Sequence, residues 1–270
     1  MSLAAQGVRV ERSGRPVLDG VDFVLHAGRV TAMLGPNGAG KSTLLSVLAG
    51  DLAPQSGHVS LQGEPMSSLH AQALARRRAV LPQHSELAFD LSVEEVVGMG
   101  AYPFPELTTA QAGALAGEAL ALTDVQHLRG RRYGALSGGE QQRVQCARVL
   151  AQMLAPTQGD SGLSIGSSPR RPRYLLMDEP VASLDPLHQH SLLRVLQSLA
   201  REQGFGVLVV AHDINLAARW CDTLVFLKDG RIEAEGPPER VLEPDVLQRV
   251  YGLTSRIVRD GERALVVFGD

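Results

Sequence analysis

The stretch Gly35-Pro36-Asn37-Gly38-Ala39-Gly40-Lys41-Ser42-Thr43 constrains this chain more than any other. It fits the pattern Gly-x-x-x-x-Gly-Lys-[Ser/Thr], with Gly35, Gly40, Lys41 and Ser42 in register. Ahead of it, Arg29-Val-Thr-Ala-Met-Leu34 is a short apolar run suited to a buried strand. Behind it, residues 43–49 carry helical apolar spacing and stop at Gly50. Glycines lack a Cβ, so the backbone between strand and helix can curl until its N–H groups converge. The helix that follows adds the positive end of its dipole at the same place. Such a turn cradles phosphate. Lys41 would reach the β- and γ-phosphates, Ser42 would ligate Mg²⁺, and Thr43 would assist at the phosphates.

A second apolar strand, Tyr174-Leu-Leu-Met-Asp-Glu-Pro180, ends in two carboxylates. Asp178, at a buried strand end, suits the hydration shell of Mg²⁺. Glu179 is one residue on and is expected to point elsewhere, as alternation along an extended chain demands. That leaves it free to polarise an attacking water as general base. Between the two strands, Leu136-Ser137-Gly138-Gly139-Glu140-Gln-Gln-Arg143 opens a helix that runs to about Met153. Ser137 with Glu140 three residues on has capping-box spacing, and a helix start after Ser-Gly-Gly is also an anion site.

A phosphate loop and a Leu-Ser-Gly-Gly string in one chain resemble the ATP-binding cassette (ABC) family. The resemblance implies ATP and Mg²⁺ as cofactors and a head-to-tail homodimer. In that family Ser137, Gly138 and Gly139 would meet the γ-phosphate held by the phosphate loop of a second copy. It also gives roles to three further residues. Gln83, in Ala-Val-Leu-Pro-Gln, matches the glutamine that senses Mg²⁺ and water. His212, in Val-Leu-Val-Val-Ala-His, stands where the family places its γ-phosphate-contacting histidine. Asp185, in Ser183-Leu-Asp185, matches the loop that crosses the dimer interface. One departure is that Val10-Glu-Arg-Ser-Gly14 has no aromatic to stack on adenine, so that either the Arg12 guanidinium stacks there or the base is held loosely.

The resemblance implies an α/β fold: a P-loop NTPase with a mostly parallel central sheet, an N-terminal antiparallel β element and an inserted α-helical subdomain. Residues 1–270 would form a single ABC ATPase domain, with 1–86 and 155–270 as core and 87–154 as the helical subdomain. Short strands with turns are expected over residues 1–34, and strand, helix and strand over 57–82. Arg76-Arg-Arg78 would end that helix on a solvated face. Residues 156–172, rich in Gly, Ser and Pro, read as a mobile surface loop of no functional role. Two short strands and a small helix are expected in the last forty residues.

At 270 residues and 44% apolar content the chain can bury a substantial core. A net charge of −3 does not suggest a nucleic-acid partner. No run reaches the length of a membrane span, no signal-like segment opens the chain, and the 2 cysteines, Cys146 and Cys221, read as packing residues. The expectation is a soluble cytosolic chain whose membrane role comes through partners.

With neither a heptad run nor an internal repeat, a lone cassette looks like a transporter motor. Arg76-Arg-Arg-Ala-Val-Leu-Pro-Gln83, Val93-Glu-Glu-Val-Val-Gly-Met-Gly100 and Ala211-His-Asp-Ile-Asn-Leu-Ala-Ala218 are similar to importers of iron chelates, cobalamin and heme. Within that group the match is closest to the heme importers. The resemblance implies two integral-membrane permease subunits and, indirectly, a periplasmic substrate-binding protein. It places the chain peripherally, at the cytoplasmic face of the inner membrane. Residues 83–104 would dock the permease, with Tyr102 and Phe104 either exposed contacts or subdomain core. His188 and His190 read as solvated helix polarity rather than heme ligands. Ferric siderophore or cobalamin import, and a soluble ATP-driven macromolecular clamp, stay open beside heme import.

Overall fold

In this computed structural model, residues 1–83, 87, 89–156, 172–261 and 263–269 are described. β1 (Ser2–Arg12) and β2 (Arg15–His26) pair antiparallel through the turn at Ser13-Gly14. At 11 and 12 residues they are longer than the short strands expected, because register shifts at residues 5–11 of β1 absorb the twist of so long a ribbon. Alternation in β2 turns Leu18, Val21, Phe23 and Leu25 inward.

β3 (Val30–Leu34), buried along its whole length, leads through residues 35–40 into α1 (Lys41–Ala49). There follow β4 (Ser56–Leu61), β5 (Glu64–Pro65), α2 (Ala71–Ala75) and β6 (Arg78–Leu81). Between β6 and β7 the described residues form three α-helices: α3 (Val93–Gly98), α4 (Thr109–Leu122) and α5 (Gly138–Leu154). β7 (Tyr174–Asp178), α6 (Pro186–Gln203), β8 (Gly206–Val210), α7 (Ile214–Trp220) and β9 (Thr223–Lys228) alternate strand with helix. The last segment holds β10 (Arg231–Gly236), α8 (Pro238–Val241), α9 (Pro244–Tyr251), β11 (Ser255–Asp260) and β12 (Arg263–Phe268). That is one strand and one helix more than expected. Residues 157–171 of the expected loop lie outside the described residues.

The central sheet runs β10-β9-β3-β8-β7-β6, with β9, β3, β8, β7 and β6 parallel and β10 antiparallel at the edge. A smaller sheet runs β2-β1-β4-β5. Successive residues of β7 serve opposite faces. Leu175 and Met177 join the core under the helices, while Tyr174 and Leu176 join the core shared with α1 and the smaller sheet. Covered on both faces, the parallel strands are continuous apolar runs, as their sequences are. Val96, Leu120 and Leu150 of α3–α5 belong to the same buried cluster as the sheet residues Leu81 and Met177.

The arginine triplet corrects a reading from sequence. Arg76 lies 2.6 Å from Glu106, Arg77 2.7 Å from Glu64 and Arg78 3.4 Å from Asp51, with the arginine side chains only 26%, 17% and 15% exposed. Arg78 belongs to β6, not to a helix end. Each guanidinium found a carboxylate distant in sequence, which charge spacing along one helix does not reveal.

Candidate functional site

The candidate site forms at the C-terminal ends of neighbouring parallel strands, where open α/β sheets present their ligand crevices. β3 hands over to the glycine loop. Gly35 has φ 148°, and a Cβ there would lie 2.0 Å from the carbonyl oxygen of Leu227. Gly40 has φ 103°, and a Cβ there would lie 2.7 Å from Val17 O. No other residue type fits either place. Gly40 is also the N-cap of α1 and has no side chain to satisfy the first N–H groups, so these are left to an outside acceptor.

Lys41 is buried, and its ammonium donates to Gly35 O at 2.8 Å and Pro36 O at 3.0 Å. Burial pulls its pKa below the usual lysine value, against the opposing pull of Glu179 and Asp178. The Gly230 N–H braces the loop from outside through Ala39 O at 3.1 Å.

Asp178, 5% exposed, ends β7 beside this loop. Burial raises its pKa, and the Ser42 hydroxyl, Lys41 and His212 draw it back down. Its Oδ1 atom is buried with no hydrogen-bond partner. A carboxylate oxygen left free beside a serine hydroxyl is the donor chemistry of a hard divalent cation, so the residues fit Mg²⁺. Among the described residues no three His, Cys, Asp or Glu side chains cluster as a metal cage. A cation here would draw its remaining ligands from phosphate and water.

Glu179 does not diverge from Asp178 by strand alternation. The strand ends at Asp178, and Glu179 turns through the left-handed region with φ 51° while its N–H donates to Val210 O at 3.2 Å. The turn brings its Oε1 to 2.6 Å from Nε2 of His212, which follows β8. Gln83 lies just past the end of β6, which pairs in register with β7 (Leu81 with Met177), and is exposed.

The Leu-Ser-Gly-Gly string gathers a separate group of residues. Ser137 caps α5, with its hydroxyl and the Glu140 carboxylate forming a reciprocal capping box. Ser137 and Gly138 are exposed. A Cβ on Gly139 would lie 3.0 Å from Ser183 O, and Gln142 donates to Pro180 O at 3.4 Å. The start of α5 is therefore packed on the loop that leads to Asp185, the N-cap of α6.

Thus Lys41, Ser42, Asp178, Glu179 and His212 form one polar group. Ser137, Gly138 and Gly139 join the loop before Asp185 in another. The two aromatics at residues 102–104 divide: Tyr102 is 74% exposed, whereas Phe104 is 1% exposed. The guanidinium groups of Arg76 and Arg173 lie 5.3 and 5.5 Å from the Phe104 ring centroid. His188 and His190 are not simply solvated, since His188 contacts Asp185 and His190 accepts from the Trp220 indole N–H at 2.8 Å. Arg12 is exposed at the end of β1. Tyr251 went unread in the sequence: it meets Phe226 and Phe268 edge-on, and burial pushes its pKa up to about 12. A lone Tyr far along the chain gave no local signal of this.

The sequence profile of the ABC transporter family matches residues 18–154. The hemin import ATP-binding protein HmuV of Bordetella parapertussis is 53% identical, over 96% of this chain and 95% of its own length. That of Pseudomonas aeruginosa is 45% identical, over 97% and 96%. Among solved structures, a bacterial ABC transporter cassette in dimeric form superposes with TM-score 0.74 at 25% identity, over 87% of this chain and 98% of that one. The same cassette in a post-hydrolysis state with ADP and Pi superposes with TM-score 0.73.

Proposed function

This chain belongs to the ABC transporter family, and on that premise we propose that it is the ATP-hydrolysing motor subunit of a bacterial importer whose cargo is hemin. The observation that carries the hydrolytic part is the Glu179–His212 contact of 2.6 Å, set beside the buried Lys41 and Asp178. The cargo rests on the hemin-import relatives, since no residue of this chain is assigned to hemin itself.

In this reading the N–H groups of the glycine loop and the ammonium of Lys41 bind the β- and γ-phosphates of ATP. Ser42, Asp178 and Gln83 would hold Mg²⁺, whose charge would offset that of those phosphates. Glu179 orients the attacking water and takes its proton, and His212 fixes the Glu179 carboxylate and contacts the γ-phosphate. Ser137, Gly138 and Gly139 close over the γ-phosphate held by a second copy, with Asp185 at the same interface. Head-to-tail closure forms both sites. It would move two permease subunits, fed by a periplasmic binding protein, from a peripheral position at the cytoplasmic membrane face. Among the described residues no helix is long and apolar enough to cross a membrane, which suits that arrangement.

The test is to reconstitute the chain with its native membrane partner and measure ATPase rate against binding protein loaded with hemin, cobalamin or a ferric siderophore. Stimulation by hemin alone is expected. Stimulation by another cargo overturns the hemin assignment. Failure to recover any membrane partner overturns the motor reading in favour of a soluble clamp.

A further inference from the structure

The N-cap of α6 is held by more than its helix. Asp185 Oδ1 accepts the His188 backbone N–H at 3.0 Å, and His188 Nδ1 lies 2.8 Å from both carboxylate oxygens of Asp185. The other ring nitrogen, Nε2, lies 3.6 Å from Asp124 Oδ2. Asp124 follows α4 in the left-handed conformation, φ 55°. Its carbonyl accepts from Arg143 Nη1 at 2.7 Å, and Arg143 also stands 3.7 Å from its carboxylate. Arg143 belongs to α5, the helix that opens at Gly138, and its side chain is only 12% exposed. A continuous polar chain therefore runs Arg143–Asp124–His188–Asp185.

Two further contacts run beside it. Gly139 packs on Ser183 O, and Gln142 donates to Pro180 O. The loop from Pro180 to Asp185 is thus fastened to α5 near both ends, and His188 supplies the fastening at the Asp185 end. Asp124 and Asp185 are 80% and 59% exposed, so the charge attraction itself is heavily screened. What the imidazole adds is geometry: a rigid ring with a nitrogen at each end spans two carboxylates on different elements.

We propose that His188 is a positioning residue that locks the Asp185 loop to the helix carrying Ser137–Gly139, so that these two parts of the dimer face move as one body during ATP turnover. The proposal rests on the reading above, in which both parts meet a second copy. A side chain lost from this link leaves the phosphate loop untouched but lets Asp185 and the Ser-Gly-Gly end fall out of register when the dimer closes.

The experiment measures steady-state ATPase of the full chain with His188→Ala, Asp124→Ala and the double variant. Each single change is expected to lower kcat about tenfold with KM for ATP held within about twofold, and the double to be no worse than either single. His188→Asn keeps a donor near Asp185 but does not reach Asp124, and is expected to match His188→Ala. Asp124→Ala leaves the α6 cap intact, which separates the link from loss of the cap. Wild-type kcat in both singles, additive losses, full activity in His188→Asn, or a joint change of kcat, KM and melting temperature would each overturn the proposal. A wild-type chain that neither hydrolyses ATP nor dimerises with it would instead overturn the reading on which this one rests.

Discussion

Glu179 Oε1 stands 2.6 Å from His212 Nε2, which joins the end of β7 to the end of β8 through one short hydrogen bond. The Glu179 side chain is 17% exposed and that of His212 47%, so the carboxylate is sheltered while the imidazole faces outward. A carboxylate fixed on one side by a ring nitrogen keeps its other oxygen for a water molecule.

Glu179→Gln preserves the size of the side chain and a hydrogen bond to His212 while removing the base. Phosphate release should fall by roughly 10²- to 10⁴-fold, with ATP still bound. Gel filtration in ATP should then show an accumulated dimer. Turnover at the wild-type rate would remove Glu179 from the role of base.

Lys41→Ala removes the buried ammonium that donates to Gly35 O and Pro36 O. Charge-assisted hydrogen bonds contribute about 1.5–3 kcal/mol, so ATP affinity should weaken by about 10- to 100-fold. Titration with a fluorescent ATP analogue measures this directly. Unchanged affinity would contradict the cradle.

Phe104 and Tyr102 should separate stability from coupling. Phe104→Ala empties a fully buried site beside two guanidinium groups and should cost about 3–5 kcal/mol in denaturant unfolding. Tyr102→Ala, at an exposed site, should stay within about 0.5 kcal/mol of wild type. In the reconstituted importer the Tyr102 variant should lose cargo-stimulated ATPase while keeping the rate of the isolated chain. A Tyr102 variant with full stimulation would free this residue from docking.

The two thiols predict an alkaline limit. Burial pushes Cys146 and Cys221 up from 9.0 to about 12, so the native chain holds protons that the unfolded chain releases. Their contribution is intact below pH 9.0 and is lost as pH rises towards 12. Urea midpoints from pH 8 to 11 should fall more steeply for wild type than for Cys146→Ala with Cys221→Ala, compared by slope. Part of the slope should survive in the variant, because Tyr174 and Tyr251 are likewise pushed up to about 12. Equal slopes would show that the thiols do not contribute.

The parts of this chain that were legible in sequence are those fixed by neighbours along the chain. The glycine loop, its flanking strand and helix, and the Ser137–Glu140 cap each depend on residues within a few positions of one another. What stayed hidden depends on contacts across the fold. Arg76, Arg77 and Arg78 find Glu106, Glu64 and Asp51, and only the packing of the α2–β6 segment against its surroundings decides that. Tyr102 and Phe104 are two residues apart and of one chemical type, yet one faces water and the other is buried against two arginines. The backbone reversal at Glu179 was illegible for a different reason: an apolar strand that ends in Asp-Glu is equally compatible with extended continuation.

That reversal sets folding against function at a single position. Holding a residue with a Cβ at φ 51° costs about 1–2 kcal/mol, a cost that glycine escapes. Glu179→Gly would therefore relax the backbone while deleting the carboxylate. Screening variants of this chain for thermal resistance alone would favour replacements there that leave a sturdier protein with no turnover, so survival on heating is a misleading guide to activity in this family member.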